Sequence, residues 1–179
     1  MDTRIYLENC NAPASTDPCV GAIVAKNPGS ATSETMGQLA PLSLNGDNML
    51  PSIRNRFRAA YALSGKPIPE TGFVRVWNLF YLCAANLRQA IKACAAITSP
   101  PFCTSESLLP PIVWFAWGKS DKYLDPLKVR FQRLQLQRAF FFDNRQGKVV
   151  ARIPQNDDFA KHPQGMPGSP VVQFLKNHL

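Results

Sequence analysis

The sequence predicts an α/β fold: a single domain over residues 1–179, in three layers α/β/α, around a central, mostly parallel sheet of four to five strands. Three observations lead there. Short apolar runs alternate with longer stretches of helical period, the order of a parallel sheet with helices on both faces. The first such run, Ala22 to Ala25, has no polar interruption, as in a strand covered on both faces. The 179 residues are 45% hydrophobic and 18% charged, enough to bury a full core.

The elements follow in order. Thr3 to Leu7 reads as a short edge strand and Cys19 to Lys26 as a buried one. The strand must stop at Asn27-Pro28-Gly29, because proline removes a ladder donor. Residues 28–47 are rich in Gly, Ser, Pro and Asn and read as a loop. A helix spans Asn48 to Ser64, with Asp47 or Asn48 as N-cap, Pro51 in the first turn and an apolar stripe of Ile53, Phe57, Ala60 and Tyr61. "FVRVWNLF", Phe73 to Phe80, is a second strand, rich in β-branched and aromatic residues. Ala84 to Ala96 is helical. Pro111 to Trp117 is a third buried strand that ends on Gly118. A helix runs from Asp125 to Arg138, with Pro126 at its start. Phe140 to Phe142 and Lys148 to Ile153 are strand-like, and Pro170 to Asn177 closes the chain as a helix.

Ligands of parallel sheets bind beyond the C-terminal ends of the strands. The polar residues at those ends are Asn27, Asn78 and Gly118-Lys119, and His162 lies in the loop after the last strand. The net charge of +8 points to an anionic partner, of which nucleic acid is the commonest. The five cysteines include no C-x-x-C pair, which argues against a disulfide framework and a zinc ribbon and for reduced thiols in a cytosol. No signal peptide or membrane span is visible.

Four segments, "AKNPGS", "RVWNLF", "VWFAWGK" and "KHPQGM", occur in that order. Together they resemble the uracil-DNA glycosylase superfamily, nearest in the first segment to its mismatch-specific uracil/thymine branch. A group of uncharacterised bacterial proteins with a similar series of segments implies no activity. Two departures stand out. Lys26 occupies a place where a small or hydrophobic residue is usual, and the last segment carries Gln164-Gly165-Met166 in place of the family's serine and leucine. The cysteine spacing differs from that of the branch with an iron–sulfur cluster, so no cofactor and no metal are expected.

The resemblance implies a uracil-DNA-glycosylase-like fold and a monofunctional DNA glycosylase, with double-stranded DNA as partner. It also implies a monomer, cytoplasmic and bacterial or phage-associated. Breaking an N-glycosidic bond requires stabilising the departing base and placing one water beside an oxocarbenium-like sugar. Asn27 is then the residue that holds the water, and His162 donates to a base oxygen. Pro28, Gly29, Ser30, Asn78, Phe80 and Tyr81 would form the base pocket, with Asn78 reading the Watson–Crick edge of a flipped base and Phe80 or Tyr81 stacking on it. Met166 would be the apolar wedge, and Lys119, Gln164, Arg54 and Arg58 would contact DNA. Gly29-Ser30-Ala31 leaves the C5 side of a pyrimidine open, which suits thymine or a modified cytosine such as phages carry.

Plainer readings exist for each. Asn27-Pro28-Gly29 is a common turn. Trp114 and Trp117 suit the core, and the arginines suit a solvated helix face. Asp157 and Asp158 suit a loop or helix cap better than a metal site. Two other functions fit the same sequence: a non-catalytic nucleic-acid-binding module, and an enzyme acting on nucleosides or nucleotides.

Overall fold

A computed structural model describes residues 2–28, 40–44, 46–82, 86–99 and 101–179. Six strands form one mixed sheet: β1 (Thr3–Tyr6), β2 (Cys19–Ala25), β3 (Phe73–Asn78), β4 (Val113–Phe115), β5 (Ala139–Asp143) and β6 (Lys148–Val150), in the spatial order β1-β3-β2-β4-β5-β6. The inner pairs β3–β2, β2–β4 and β4–β5 are parallel, and the outer pairs β1–β3 and β5–β6 are antiparallel, so the sheet has one more strand than the four to five expected and is mixed, because both of its edges are antiparallel. Four helices are described: α1 (Met49–Ser64), α2 (Leu87–Ala95), α3 (Asp125–Gln132) and α4 (Gly168–Lys176).

The sheet separates two apolar clusters, and the alternation of strand side chains assigns each residue to one of them. Ile23, Ala25, Val74, Val76, Trp114, Ala116 and Phe140 face the cluster that contains Ile53, Phe57 and Ala60 of α1 and Val171 and Leu175 of α4. Ala22, Val24, Trp77, Val113, Phe115, Trp117 and Phe141 face the cluster that contains Ala90 and Ile91 of α2 and Phe131 of α3. Helices therefore cover both faces. The two expected core tryptophans, Trp114 and Trp117, are fully buried on opposite faces.

Boundaries moved where hydrogen bonding decides them. The helix expected to reach Arg138 ends at Gln132, because the Arg138 carbonyl already accepts from the Val113 N–H in the ladder. The second predicted helix begins at Leu87, where the Asn86 side chain accepts from the Arg88 and Gln89 N–H groups at 3.0 and 3.2 Å. At α1 the N-cap position is Asn48, but the capping oxygen comes from Asp47, which accepts from the Met49 N–H. A 3-10 turn at Thr104–Ser107 had no recognised signal in the sequence.

Arg56 of α1 fastens a distant loop. Its guanidinium donates to the carbonyls of Pro163 and Met166 at 3.2 and 3.0 Å and lies over the Trp114 ring. Gly21 of β2 sets how closely α1 approaches the sheet. A Cβ there would lie 3.0 Å from Phe57 Cε1 and 3.1 Å from Ile112 Cγ2. We expect Gly21→Ala to destabilise the chain by about 1–3 kcal/mol through overpacking. Urea unfolding measures this, and a variant as stable as the parent would contradict the packing assigned to Gly21.

Candidate functional site

The parallel register continues beyond the strands and gathers their ends. Ala25 of β2 is paired with Asn78 of β3. The Leu79 and Phe80 N–H groups donate to the Ala25 and Lys26 carbonyls, and the Ala116 N–H donates to Val24. Gly118, just past β4, forms an isolated bridge with Ala160, which also bridges Asp143 at the end of β5. That double bridge carries residues 160–166 onto the same edge. Asn27, Asn78, Gly118 and His162 thus lie at the C-terminal edge of the parallel strands.

Asn78 is buried, yet its side-chain oxygen Oδ1 has no hydrogen-bond partner among the described residues. Its alternation with Val76 turns it toward α1, where Pro28, Thr3, Leu42, Met49 and Leu50 line a small cleft with it. Asn27 is half-buried beside Pro28. A buried amide oxygen without a donor is uncommon, and a ligand N–H would complete it.

His162 is half-buried. Its Nδ1 accepts from the Gln164 backbone N–H at 3.3 Å, which places the proton of the neutral ring on Nε2. Burial and the nearby Lys26 charge lower its pKa, against an opposing contribution from Asp47. The neutral imidazole is therefore a hydrogen-bond donor through Nε2. Burial also lowers the Lys26 pKa. Asp121 opposes that shift, and the Lys128 and Lys119 charges add to it.

On the opposite face of the sheet a second polar network closes the end of β3. Arg130 of α3 donates to the Asn78 and Leu79 carbonyls at 2.6 and 2.9 Å and to Glu106 at 2.8 Å. The Tyr81 hydroxyl donates to Glu106 at 2.9 Å, and burial followed by the Glu106 charge pushes its pKa up.

Several sequence-predicted roles change. Phe80 is fully buried among the residues facing α2 and α3, so it has no face free for a base. Tyr81 is held in the Glu106 network and is a support for β3. Met166 is buried in the α1–α4 cluster, drawn inward because its own carbonyl is fixed by Arg56, so it is not a projecting wedge. Arg54 donates to the Leu7 carbonyl at 3.0 Å, and Arg58 pairs with Glu8 at 3.4 Å. Both contacts lie at the far end of the sheet, since β1 runs antiparallel to β3 and ends beside Phe73. Lys119 and Gln164 are exposed next to the candidate site. Gly29 and Ser30, with Ala31, lie outside the described residues. Sequence reasoning did not place Asp47 or Glu106 at the site, since they sit in segments without a motif, and it read Arg130 as part of a solvated helix face, whereas its guanidinium is held by the Asn78 and Leu79 carbonyls and Glu106. Lys26 was visible as a departure from the family pattern.

Among the described residues, no helix is long and apolar enough to cross a membrane. Comparison with protein-family models, with curated proteins and with solved structures found no match.

Two outcomes follow from this geometry. The lowered His162 pKa means that the unfolded chain binds the imidazole proton more readily, so stability falls as pH drops below about 6.5. His162→Gln should flatten that part of the profile, as read from urea unfolding at about pH 7.5 and about pH 5.5. An unchanged pH dependence would contradict the burial of the ring. Arg54→Ala should lower stability by about 1 kcal/mol and leave duplex DNA affinity unchanged, whereas a loss of affinity at equal stability would return Arg54 to the binding surface.

Proposed function

We propose that the chain is a DNA glycosylase that flips out a modified or mispaired pyrimidine and hydrolyses its N-glycosidic bond, leaving an abasic site. The observation that carries this reading is the buried side-chain oxygen of Asn78, without a partner among the described residues, on the wall it shares with Pro28. A pyrimidine N–H is a donor of the right kind for that oxygen. The order of the four sequence segments supplies the rest of the reading, and the sheet edge brings their polar residues onto one side.

In this reading each residue has a limited task. Asn27 holds the attacking water through its amide, which is too weakly basic to deprotonate it. His162 donates from Nε2 to a base oxygen as negative charge develops there. Lys119 and Gln164 lie where the phosphate backbone would pass, and the net charge of +8 favours that approach. The base class is one tolerant at C5, such as thymine or a modified cytosine, and the role is repair or defence against phage. The fold in this reading is the uracil-DNA-glycosylase type of α/β sheet.

The test is release of base from duplex oligonucleotides that carry uracil, mispaired thymine or modified cytosines, scored as alkali-labile abasic sites. Asn27→Ala should slow release about 100-fold by losing the placed water. Parent-like rates in Asn27→Ala would remove its role. Salt-sensitive DNA binding with no abasic product on any base would replace the reading with a binding module.

A further inference from the structure

Lys26 follows β2 directly and has no part in the base-release step described above. Alternation along β2 puts Ala25 on the α1 side of the sheet and Lys26 on the side of α2 and α3. Its side chain crosses to Gly118, just past β4. A Cβ placed on Gly118 would lie 2.8 Å from Lys26 Cε and 3.0 Å from Nζ. Gly118 also has φ +87°, a conformation that side chains rarely adopt. A residue without a Cβ therefore leaves the space that the end of Lys26 fills, and this fixes the ammonium at the sheet edge beside Lys119.

The half-buried Lys26 ammonium makes no hydrogen bond or ion pair among the described residues. The acids around it are engaged elsewhere. Asp125 holds the fully buried Lys128 ammonium and the Ser120 hydroxyl, each at 2.7 Å. Asp121 accepts from the Tyr123 N–H at 2.9 Å and acts on Lys26 only through its charge. The Lys128 and Lys119 charges oppose that attraction. A charge withdrawn from water is costly until a counter-charge meets it. The amine is not sealed off. Among the described residues, the sealed polar atoms without a partner are Arg56 Nε, Asn78 Oδ1, Trp114 Nε1 and Trp117 Nε1, and Lys26 Nζ is not one of them. An anion from outside can reach it.

We propose that Lys26 and Lys119 form a seat for a phosphate group, across β2 from the Asn78 cleft. The source of that phosphate rests on the glycosylase reading: it is the backbone phosphate of the flipped nucleotide. A nucleotide carries its base and its phosphate on different atoms of the sugar. The base can enter on the α1 side of the sheet edge while the phosphate meets Lys26 on the other. A phosphate offers several acceptor oxygens on one charged centre, which two ammonium groups can share. Lys26 is the fixed member of the pair, because Gly118 and its own burial hold it, and Lys119 is the exposed one. A free nucleotide has the same chemistry and would use the same seat. Lys26 is a binding residue in this account and takes no part in bond breaking.

The experiment uses the full chain. Brief acylation of the parent protein, mapped by mass spectrometry, reads the accessibility of each lysine amine. Inorganic phosphate, at constant ionic strength, and duplex DNA should each protect Lys26, while Lys92, on the exposed side of α2, stays reactive. Because this is read on the parent, it does not depend on whether a variant folds. In the second arm, the slope of log affinity for duplex against log salt should become about 0.9 shallower in Lys26→Gln, the loss of one phosphate contact, and stay unchanged in Lys92→Gln. Absence of protection by either phosphate source overturns the proposal. So does a parent-like salt slope in Lys26→Gln. Base release from intact duplex is measured in parallel. Release without protection removes the phosphate seat and leaves the glycosylase reading. Protection by inorganic phosphate in a protein that neither binds duplex nor releases a base keeps the seat, assigns it to a free nucleotide and removes the glycosylase reading.

Discussion

The pairing of β2 with both β3 and β4 is the constraint on which the rest of this structure depends. Ala22, Ile23, Val24 and Ala25 are buried to the last atom or nearly so, because helices cover the sheet on both sides. A strand enclosed in this way has no place for a polar side chain. Polar groups must wait for the edge, and the parallel register makes the strands reach that edge together. Lys26, Asn27, Asn78 and Gly118 are neighbours for that reason, although more than 90 residues separate the first from the last.

Asn78 shows how one residue serves both faces. Its side chain turns toward α1 and the cleft, where its oxygen has no partner among the described residues. Its carbonyl turns toward α3, where Arg130 holds it together with Leu79. Glu106 fixes the guanidinium through two contacts, at 2.8 and 3.3 Å, and also receives the Tyr81 hydroxyl. An ion pair with added hydrogen bonds of this kind rigidifies its surroundings. The cleft side is thereby free to present an open acceptor on a backbone that does not move to satisfy it.

The strands and their order of alternation with helices were legible in the sequence, because unbroken apolar runs have few other uses. The stripe of α1 was legible for the same reason: Ile53, Phe57, Ala60 and Tyr61 all point into one cluster. Direction along the sheet was harder. The outer strand β6 must run antiparallel, since only four residues join it to β5, too few for a parallel crossover; for β1, at the other edge, no local signal gave the direction. Of the candidate site, Asn27 and Asn78 were placed at the sheet edge from strand ends, and His162 from the order of the segments. Phe80 and Met166 were misread because an apolar residue beside a motif looks the same whether it faces a ligand or the core. Arg54 and Arg58 were misread because helix spacing gives a shared face but not what that face meets. Asp47, Glu106 and Arg130 act through contacts between segments far apart in the chain, which only the folded structure supplies.

The guanidinium of Arg56 ties the loop that follows His162 to the middle of α1. A loop is ordinarily the first part of a domain to open, at little free-energy cost. This one cannot open alone, since releasing the Pro163 and Met166 carbonyls strips Arg56 of two acceptors and uncovers Met166. The loop consequently inherits the cooperativity of the helix it is tied to. Any occupant that holds His162 in place is thermodynamically linked to the docking of α1 on the sheet, and the two become a single unit of local unfolding.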